Sequence, residues 1–167
     1  MSEDGHRTVV CPGSYDPVTN GHLDIIGRAA NVFDRVIVGV VGNQVRKQEP
    51  LFTAEERQGF LEEATAHLPN VEIEIFRELL VEFAQRKGAS AVVKGLRAIS
   101  DFEYEFEMAQ LNRVLNADIE SIYIIASPYY SFLSSTGVKE MATFGGDVSE
   151  LVPAHVAEAL AERLGRD

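Results

Sequence analysis

Short apolar runs rich in β-branched residues alternate with amphipathic stretches along almost the whole chain, and this alternation constrains the fold most. The apolar runs lie at 8–11, 36–41, 71–76, 91–93 and 122–126, with helical patterns at 22–33, 53–68, 79–87 and 101–115. Strands that are continuously apolar need cover on both faces, and helices between consecutive strands make those strands parallel. We therefore expect an α/β fold: a Rossmann-like, doubly wound sheet of five parallel strands flanked by helices. The 167 residues are predicted to form a single domain over 1–167, with a core of about 8–164.

Local signals mark several helix ends. Thr53 with Glu56, and Ser100 with Glu103, have the spacing of capping boxes, which predicts helix starts at both places. Gly88 follows two basic residues and predicts a left-handed residue after a helix. Pro153 predicts the start of a last helix that ends near residue 164. A stripe of apolar residues predicts a helix face turned towards the core: Tyr104, Met108, Leu111 and Leu115.

Composition limits the partners and the compartment. The formal charge of −11 argues against nucleic acid and against an anionic membrane surface as partners. The polar N-terminus lacks the apolar centre of a signal peptide, and the longest apolar run, at 36–42, is too short to cross a bilayer. The one cysteine, Cys11, is predicted to be a small buried residue. A cytoplasmic location is the expected one.

The loops that follow the strands carry the candidate chemistry, because ligands of open α/β sheets bind beyond the carboxyl ends of the strands. Neither the dinucleotide fingerprint nor the Walker A motif is present. Instead, a Pro/Gly turn leads into Thr19-x-Gly21-His22 at a predicted helix start, where free N–H groups can receive a phosphate. The alternative interpretation is an ordinary turn followed by a surface histidine.

Three segments together resemble one family. Residues 13–22 (GSYDPVTNGH) resemble the opening signature of the phosphopantetheine adenylyltransferases, within the nucleotidyltransferase superfamily that carries a (His/Thr)-x-Gly-His motif. Residues 94–98 (KGLRA) with 101–105 (DFEYE) resemble the second block of that family. Residues 130–136 (YSFLSST) with 138–140 (VKE) resemble the third. The resemblance covers about residues 8–164, in the family order.

The resemblance implies a reaction and its partners. The phosphate of 4′-phosphopantetheine would attack the α-phosphate of ATP, giving dephospho-coenzyme A and pyrophosphate, with Mg²⁺ accompanying the nucleotide. Coenzyme A is implied as a feedback inhibitor, and a homohexamer as the assembly. No protein-bound metal site is expected, because no cluster has zinc-ligand spacing.

The resemblance also implies roles for individual residues. His22 would be the catalytic residue that stabilises the transition state. The acceptor substrate would contact Ser14, Leu80, Lys94 and a basic residue of the 42–52 loop, for which Lys47 is the first choice and Arg46 the alternative. ATP would contact Ser14, Tyr15, His22, Gly95, Leu96, Arg97, Glu105, Tyr130, Ser131, Phe132, Leu133, Ser134, Ser135 and Thr136.

The chain departs from the family pattern at a few positions. Ser14 and Tyr15 stand where the family usually has Thr and Phe, and they keep the hydroxyl and the ring. Lys94 stands where many members have Arg, so a phosphate would meet a point charge in place of a two-pronged fork. The 42–52 loop is two residues longer than is common.

Two other functions remain open from the sequence alone. A nucleotidyltransferase acting on nicotinamide mononucleotide or a polyol phosphate would share the first block. A non-catalytic nucleotide-binding module that regulates a partner would share the fold, since fold alone does not determine function.

Overall fold

Five parallel strands form one sheet in the computed structural model, which describes residues 7–42 and 48–165. The strands are β1 (Thr8–Gly13), β2 (Arg35–Val41), β3 (Val71–Phe76), β4 (Ala91–Leu96) and β5 (Glu120–Ile125). Their order is β3-β2-β1-β4-β5, and each neighbouring pair is parallel. The predicted α/β sheet of five parallel strands is confirmed.

The helices connect the strands and follow β5. They are α1 (Asn20–Val32), α2 (Ala54–Thr65), α3 (Leu80–Arg86), α4 (Ile99–Leu115), α5 (Ser135–Thr143) and α6 (Ala154–Leu164). The capping box predicted at Thr53 is present: its side chain accepts from the N–H of Glu56, whose carboxylate accepts from the N–H of Thr53. Gly88 has the expected positive φ of 66°, and Pro153 is the N-cap of α6.

Alternate residues of the strands pack into two apolar clusters, one on each face of the sheet. Val9 and Cys11 of β1 belong to the larger cluster, which includes buried residues of α1, α2, α5 and α6. Val10 points the other way, into a smaller cluster with α3. Burial raises the pKa of the Cys11 thiol to about 12, as expected for a small buried residue that stays protonated.

Two expectations about α4 are wrong. The helix begins at Ile99 after the N-cap Ala98, so position 100 lies inside the helix and is not its N-cap. The apolar stripe does not face a core of this chain, since Tyr104, Leu111 and Leu115 are each about half exposed. A repeat of 3.6 residues identifies an apolar face but does not specify what covers it. Here α4 packs mainly against α3, which leaves most of its surface open.

None of the helices within residues 7–42 and 48–165 combines the length and the apolar character needed to cross a membrane.

Gly39 on β2 provides a test of packing in the smaller cluster. A Cβ at this position would lie 2.8 Å from Cε1 of Phe83 and 3.1 Å from the ring of Phe76, and the two rings are stacked with centroids 4.6 Å apart. Overpacking of a close-packed core costs about 1–3 kcal/mol, so we expect Gly39→Ala to lower the free energy of unfolding by that amount. Urea denaturation measures it.

Gly59→Ala is the matched control. An added Cβ at Gly59 on α2 meets nothing within 4 Å, and alanine is the better helix former by about 0.8–1 kcal/mol, so this variant should be more stable. A loss of stability of the same size in both variants would contradict the packing argument.

Candidate active site

The candidate site lies at the carboxyl ends of β1 and β4. These strands are neighbours, and β1 has β2 on its other side, so the order of the sheet reverses here. Loops that leave such a pair of strands diverge to opposite faces and open a crevice in which ligands bind. Residues 14–19 follow β1 and residues 97–98 follow β4, so both loops border this crevice.

The loop after β1 is fixed by its own tyrosine. Tyr15 has a φ of 50°, in the left-handed region, and its ring is buried. Its hydroxyl donates to the carbonyl oxygen of Cys11 at 2.9 Å, and its ring meets that of His22 edge-on with centroids 5.0 Å apart. The side chain of Tyr15 is therefore occupied in the core. Its backbone groups are the part that a ligand could contact, as the resemblance implies.

His22 is held in one tautomer at the start of α1. Its Nδ1 accepts from the backbone N–H of Thr19 at 3.0 Å, and the Thr19 hydroxyl oxygen accepts from the backbone N–H of His22 at 3.4 Å. Together these contacts form a capping box. Because Nδ1 is an acceptor, the ring proton of the neutral imidazole lies on Nε2.

The charge state of His22 is also fixed. Burial, together with the smaller effect of the positive charge of Arg97, lowers the pKa of His22 from 6.5 to about 4. Desolvation and a nearby cation both disfavour the imidazolium. At neutral pH, His22 is therefore an uncharged hydrogen-bond donor and not a cation.

The second block brings Lys94 and Glu105 together. The Lys94 ammonium lies 2.9 and 3.2 Å from the two carboxylate oxygens of Glu105, and both side chains are mostly buried. The backbone carbonyl of Glu105 also accepts from the hydroxyl of Tyr123 at 3.0 Å. One predicted acceptor-binding residue and one predicted ATP-binding residue are thus directly paired.

Arg97 connects the second block to the third. Its guanidinium donates to the carbonyl of Leu133 at 2.8 Å and to the carboxylate of Asp101 at 3.0 Å. Gly95, two residues earlier, lies close to α1, since a Cβ there would be 2.9 Å from Cγ1 of Ile25. The end of β4, the start of α1 and the 130–136 segment therefore border the same crevice.

The 130–136 segment is tied to the loop after β1. Ser135 donates its hydroxyl to the carbonyl of Pro17 at 2.8 Å, and Ser134 caps α5 by accepting from the N–H of Gly137 at 3.0 Å. Tyr130 packs against Gly21, since a Cβ added to Gly21 would lie 3.4 Å from the Cβ of Tyr130. The hydroxyl of Ser135 thus holds the loop after β1, and that of Ser134 holds the start of α5. Thr136, the next residue, is exposed.

Two groups that hold the site together were missed by sequence reasoning. Asp16 is buried, and its carboxylate accepts from the N–H groups of Leu51 and Phe52, each at 2.9 Å, and from the ammonium of Lys139 at 3.0 Å. Arg57 is buried on α2 and donates to backbone carbonyls. A signal existed for Arg57, because it shares one helix face with the other buried residues of α2: Ala54, Leu61 and Thr65.

Some predicted residues lie away from this cluster. Leu80 begins α3 after β3, at the same edge of the sheet but two strands from β1, and it packs against the smaller apolar cluster. Lys47 and Arg46 lie outside the described residues. The choice between them stays a prediction.

The acidic groups around the crevice do not form a metal site. Asp16, Asp101 and Glu105 each pair with a lysine or an arginine. Across residues 7–42 and 48–165, no three His, Cys, Asp or Glu side chains are grouped so that they could hold a metal ion.

Comparisons with known proteins identify the family of this chain. The family model described as cytidylyltransferase-like matches residues 10–141. The chain is 53% identical over 158 residues to a phosphopantetheine adenylyltransferase from Caldanaerobacter subterraneus subsp. tengcongensis, covering 95% of this chain and 98% of that protein.

A solved structure has the same fold. It belongs to a Vibrio parahaemolyticus protein proposed to be a nicotinate-nucleotide adenylyltransferase, and it superposes with a TM-score of 0.68 at 14% identity, covering 97% of this chain and 96% of that one. At this identity the likeness extends to the fold alone. The long match at 53% identity, with the family-model match, is what decides: the chain belongs to the phosphopantetheine adenylyltransferase family, among the cytidylyltransferase-like nucleotidyltransferases.

Proposed function

We propose that this protein transfers the adenylyl group of ATP to 4′-phosphopantetheine, giving dephospho-coenzyme A and pyrophosphate, the penultimate step of coenzyme A synthesis. The 53% identity to a relative of that name over 95% of the chain supports the substrate pair. The observation that carries the chemistry is His22, a neutral imidazole fixed at the start of α1 beside Arg97.

The proposed step is a direct displacement at phosphorus. An oxygen of the phosphopantetheine phosphate bonds to the α-phosphorus of ATP, while the bond from that phosphorus to the oxygen bridging the β-phosphate breaks. Pyrophosphate leaves with the bridging oxygen. Negative charge on the equatorial oxygens needs stabilisation in the transition state, and a preorganised donor supplies it without reorganisation. The Nε2–H of His22 is that donor.

ATP occupies the crevice between the loops after β1 and β4. The start of α1 offers free N–H groups to its phosphates, and Arg97 adds a guanidinium that Leu133 and Asp101 hold in place. These are the groups assigned to ATP: Ser14, Tyr15, His22, Gly95, Leu96, Arg97, Glu105, Tyr130, Ser131, Phe132, Leu133, Ser134, Ser135 and Thr136.

The acceptor phosphate is assigned to Lys94, with Ser14 also within its subsite, Leu80 along the pantetheine arm and Lys47 on the 42–52 loop. Lys94 is paired with Glu105. Binding of a phosphate to Lys94 therefore competes with an existing ion pair, and contact of the nucleotide with Glu105 would weaken that competition.

Mg²⁺ enters this site with the nucleotide. The carboxylates that border the crevice are engaged by cations, which fits an ion held by ATP phosphates and water, as Mg²⁺ is commonly held in nucleotide sites. When bound, it would neutralise charge on the triphosphate.

Further assignments follow from the proposed role. Coenzyme A contains the pantetheine arm of the acceptor, so it would compete for the same subsite as a feedback inhibitor. The protein would act in the cytoplasm, as a homohexamer. Exposed apolar side chains on α4 support self-association, because exposed apolar surface marks interaction sites. These side chains are each about half exposed or more: Phe102, Tyr104, Phe106, Leu111, Val114 and Leu115.

Pyrophosphate release is the test of the proposed activity. We expect release only when ATP and 4′-phosphopantetheine are both present. Replacing the acceptor with nicotinamide mononucleotide or a polyol phosphate, or ATP with CTP, should abolish it. Release with another acceptor would assign the other nucleotidyltransferase reaction. ATP binding in calorimetry without turnover for any acceptor would favour a non-catalytic module.

Removal of the His22 imidazole tests its role as a donor. We expect His22→Ala to lower kcat by about 10²–10³-fold, the usual loss when one preorganised transition-state donor is removed. Because His22 also completes a capping box, circular dichroism and Tm should be measured to show that the variant is folded. His67→Ala, at an exposed position, should leave kcat unchanged. A folded His22→Ala protein with the parent kcat would contradict the mechanism.

A charged residue introduced on α4 tests whether copies of the chain assemble through this helix. Val114 is 85% exposed, and a glutamate there would bury a charge if α4 packs against another copy. We expect the parent to sediment at six times the 18.4 kDa chain mass, and Val114→Glu to give smaller species. Ala66→Glu adds the same charge at an exposed position near the end of α2 and should leave the mass unchanged. A parent that sediments as a single chain would contradict the hexamer.

A further inference from the structure

Arg57 is the most deeply buried charged side chain among the described residues, with an exposed fraction of 1%. It lies on α2, outside the three blocks of the family resemblance and outside every residue assigned to ATP or the acceptor. Burial lowers the pKa of its guanidinium, and the negative charges of Asp16 and Glu55 oppose that shift. A guanidinium stays charged over the physiological range in spite of such a shift, so α2 carries a desolvated cation into the interior.

The guanidinium joins three separate segments through their carbonyl oxygens. Its Nη1 donates to Ser14 at 2.7 Å, just after β1, and to Val41 at 3.0 Å, the last residue of β2. Its Nε donates to Phe52 at 3.1 Å and to Thr53 at 3.2 Å, at the start of α2. The planar fork of arginine can join carbonyls in several directions at once, whereas a lysine ammonium cannot keep this geometry.

Asp16 holds the same region with the opposite charge. It accepts from the N–H of Phe52, whose carbonyl accepts from Arg57. Both the N–H and the carbonyl of Phe52 are thus bound to buried charges. The side chains that carry these charges belong to elements next to the crevice. We call Arg57 and Asp16 together the clamp. Through Val41 and Phe52, the clamp holds the end of β2 and the residue before the N-cap of α2, and through Ser14 it holds the loop that leads to His22.

Arg57 differs in chemistry from its neighbours on the buried face of α2, which include Leu61 and Ala54. An apolar residue at this position would leave buried carbonyl oxygens without a donor, and an unpaired buried acceptor lowers stability. Such a residue also could not bind four carbonyls from three segments.

We propose that Arg57 is a positioning residue for adenylyl transfer, which sets the loop after β1 relative to the end of β2 and the start of α2 and so places the acceptor phosphate in line with the α-phosphate. The inference rests on the proposed function. Arg57 makes no hydrogen bond to the 94–98 or 130–136 segments, which Arg97 holds together. Its loss should therefore disturb the reacting geometry more than nucleotide affinity.

Arg57→Lys is the decisive variant, because it keeps the positive charge but not the fork. Misplacement of reacting groups by about 1 Å costs about 10²-fold in rate, so we expect kcat to fall by about that factor while the Kd of ATP changes by less than about threefold. Pyrophosphate release gives kcat, calorimetry gives Kd, and Tm shows that the variant is folded. Arg57→Met, which removes the charge as well, should fall at least as far.

Arg163→Met is the matched control. Arg163 on α6 donates to the carbonyl of Leu51 at 2.6 Å and to Glu56 at 2.5 Å, and its guanidinium lies over the ring of Phe52. Arg163 thus contacts the same residues around the start of α2, but it makes no hydrogen bond to Ser14 or Val41. We expect a lower Tm with kcat within about threefold of the parent, since lost packing without lost positioning should not appear in kcat.

Hydrogen exchange gives a readout that does not depend on turnover. Amides of residues 14–22 should exchange about tenfold faster in Arg57→Lys and at the parent rate in Arg163→Met, because local opening follows local contacts. A parent without activity would refute the proposed function, and the exchange rates would then decide the clamp alone. The inference is overturned if Arg57→Lys does not fold. It is also overturned if the folded variant keeps the parent kcat or exchange rates, or if it loses ATP affinity in parallel with kcat.

Discussion

The pairing of β1 with β2 on one side and β4 on the other decides where the crevice lies and where His22, Lys94 and Arg97 meet. Because both neighbours are parallel to β1, their carboxyl ends meet at one edge, and the reversal of chain order at β1 opens a crevice there. The neighbours carry different tasks. The β4 side supplies Lys94 and Arg97. On the β2 side, Arg57 binds the end of β2 and Asp16 binds the residues just before α2. The strand order thus places the cations assigned to ligand binding on one side of β1 and the residues that position the loops on the other side.

Two kinds of cation surround this edge, and burial distinguishes them. Arg57 is desolvated and satisfied by backbone oxygens, so its hydrogen-bonding capacity serves the fold. Arg97 and Lys94 are partly exposed and paired with carboxylates that a ligand can displace. The positive charge of Arg97 also keeps the pKa of His22 low. A neutral histidine at this position supplies a directed hydrogen bond, and the neighbouring cations supply the positive charge.

The sequence predicts the strands, most helices and the crevice well, because these follow from short-range patterns. Apolar runs specify buried parallel strands, and Thr53 with Glu56 marks a helix start through contacts only three residues apart. Partners that are distant in the chain are a different matter. Nothing local to Asp16 indicates that it accepts from Leu51, Phe52 and Lys139, and the apolar period of α4 could not reveal that its face is open in this chain. The roles given to Lys47 and Leu80 stay predictions from the resemblance.

The burial of Cys11 has a practical consequence for work on this molecule. It is the only cysteine in the chain, it is enclosed in the larger apolar cluster, and its raised pKa keeps it as an unreactive thiol at ordinary pH. The native protein is therefore a nearly silent background for thiol chemistry. A cysteine introduced on α4 or at the rim of the crevice would take a fluorophore or spin label selectively, so distances across the crevice could be followed during turnover without first removing a native residue.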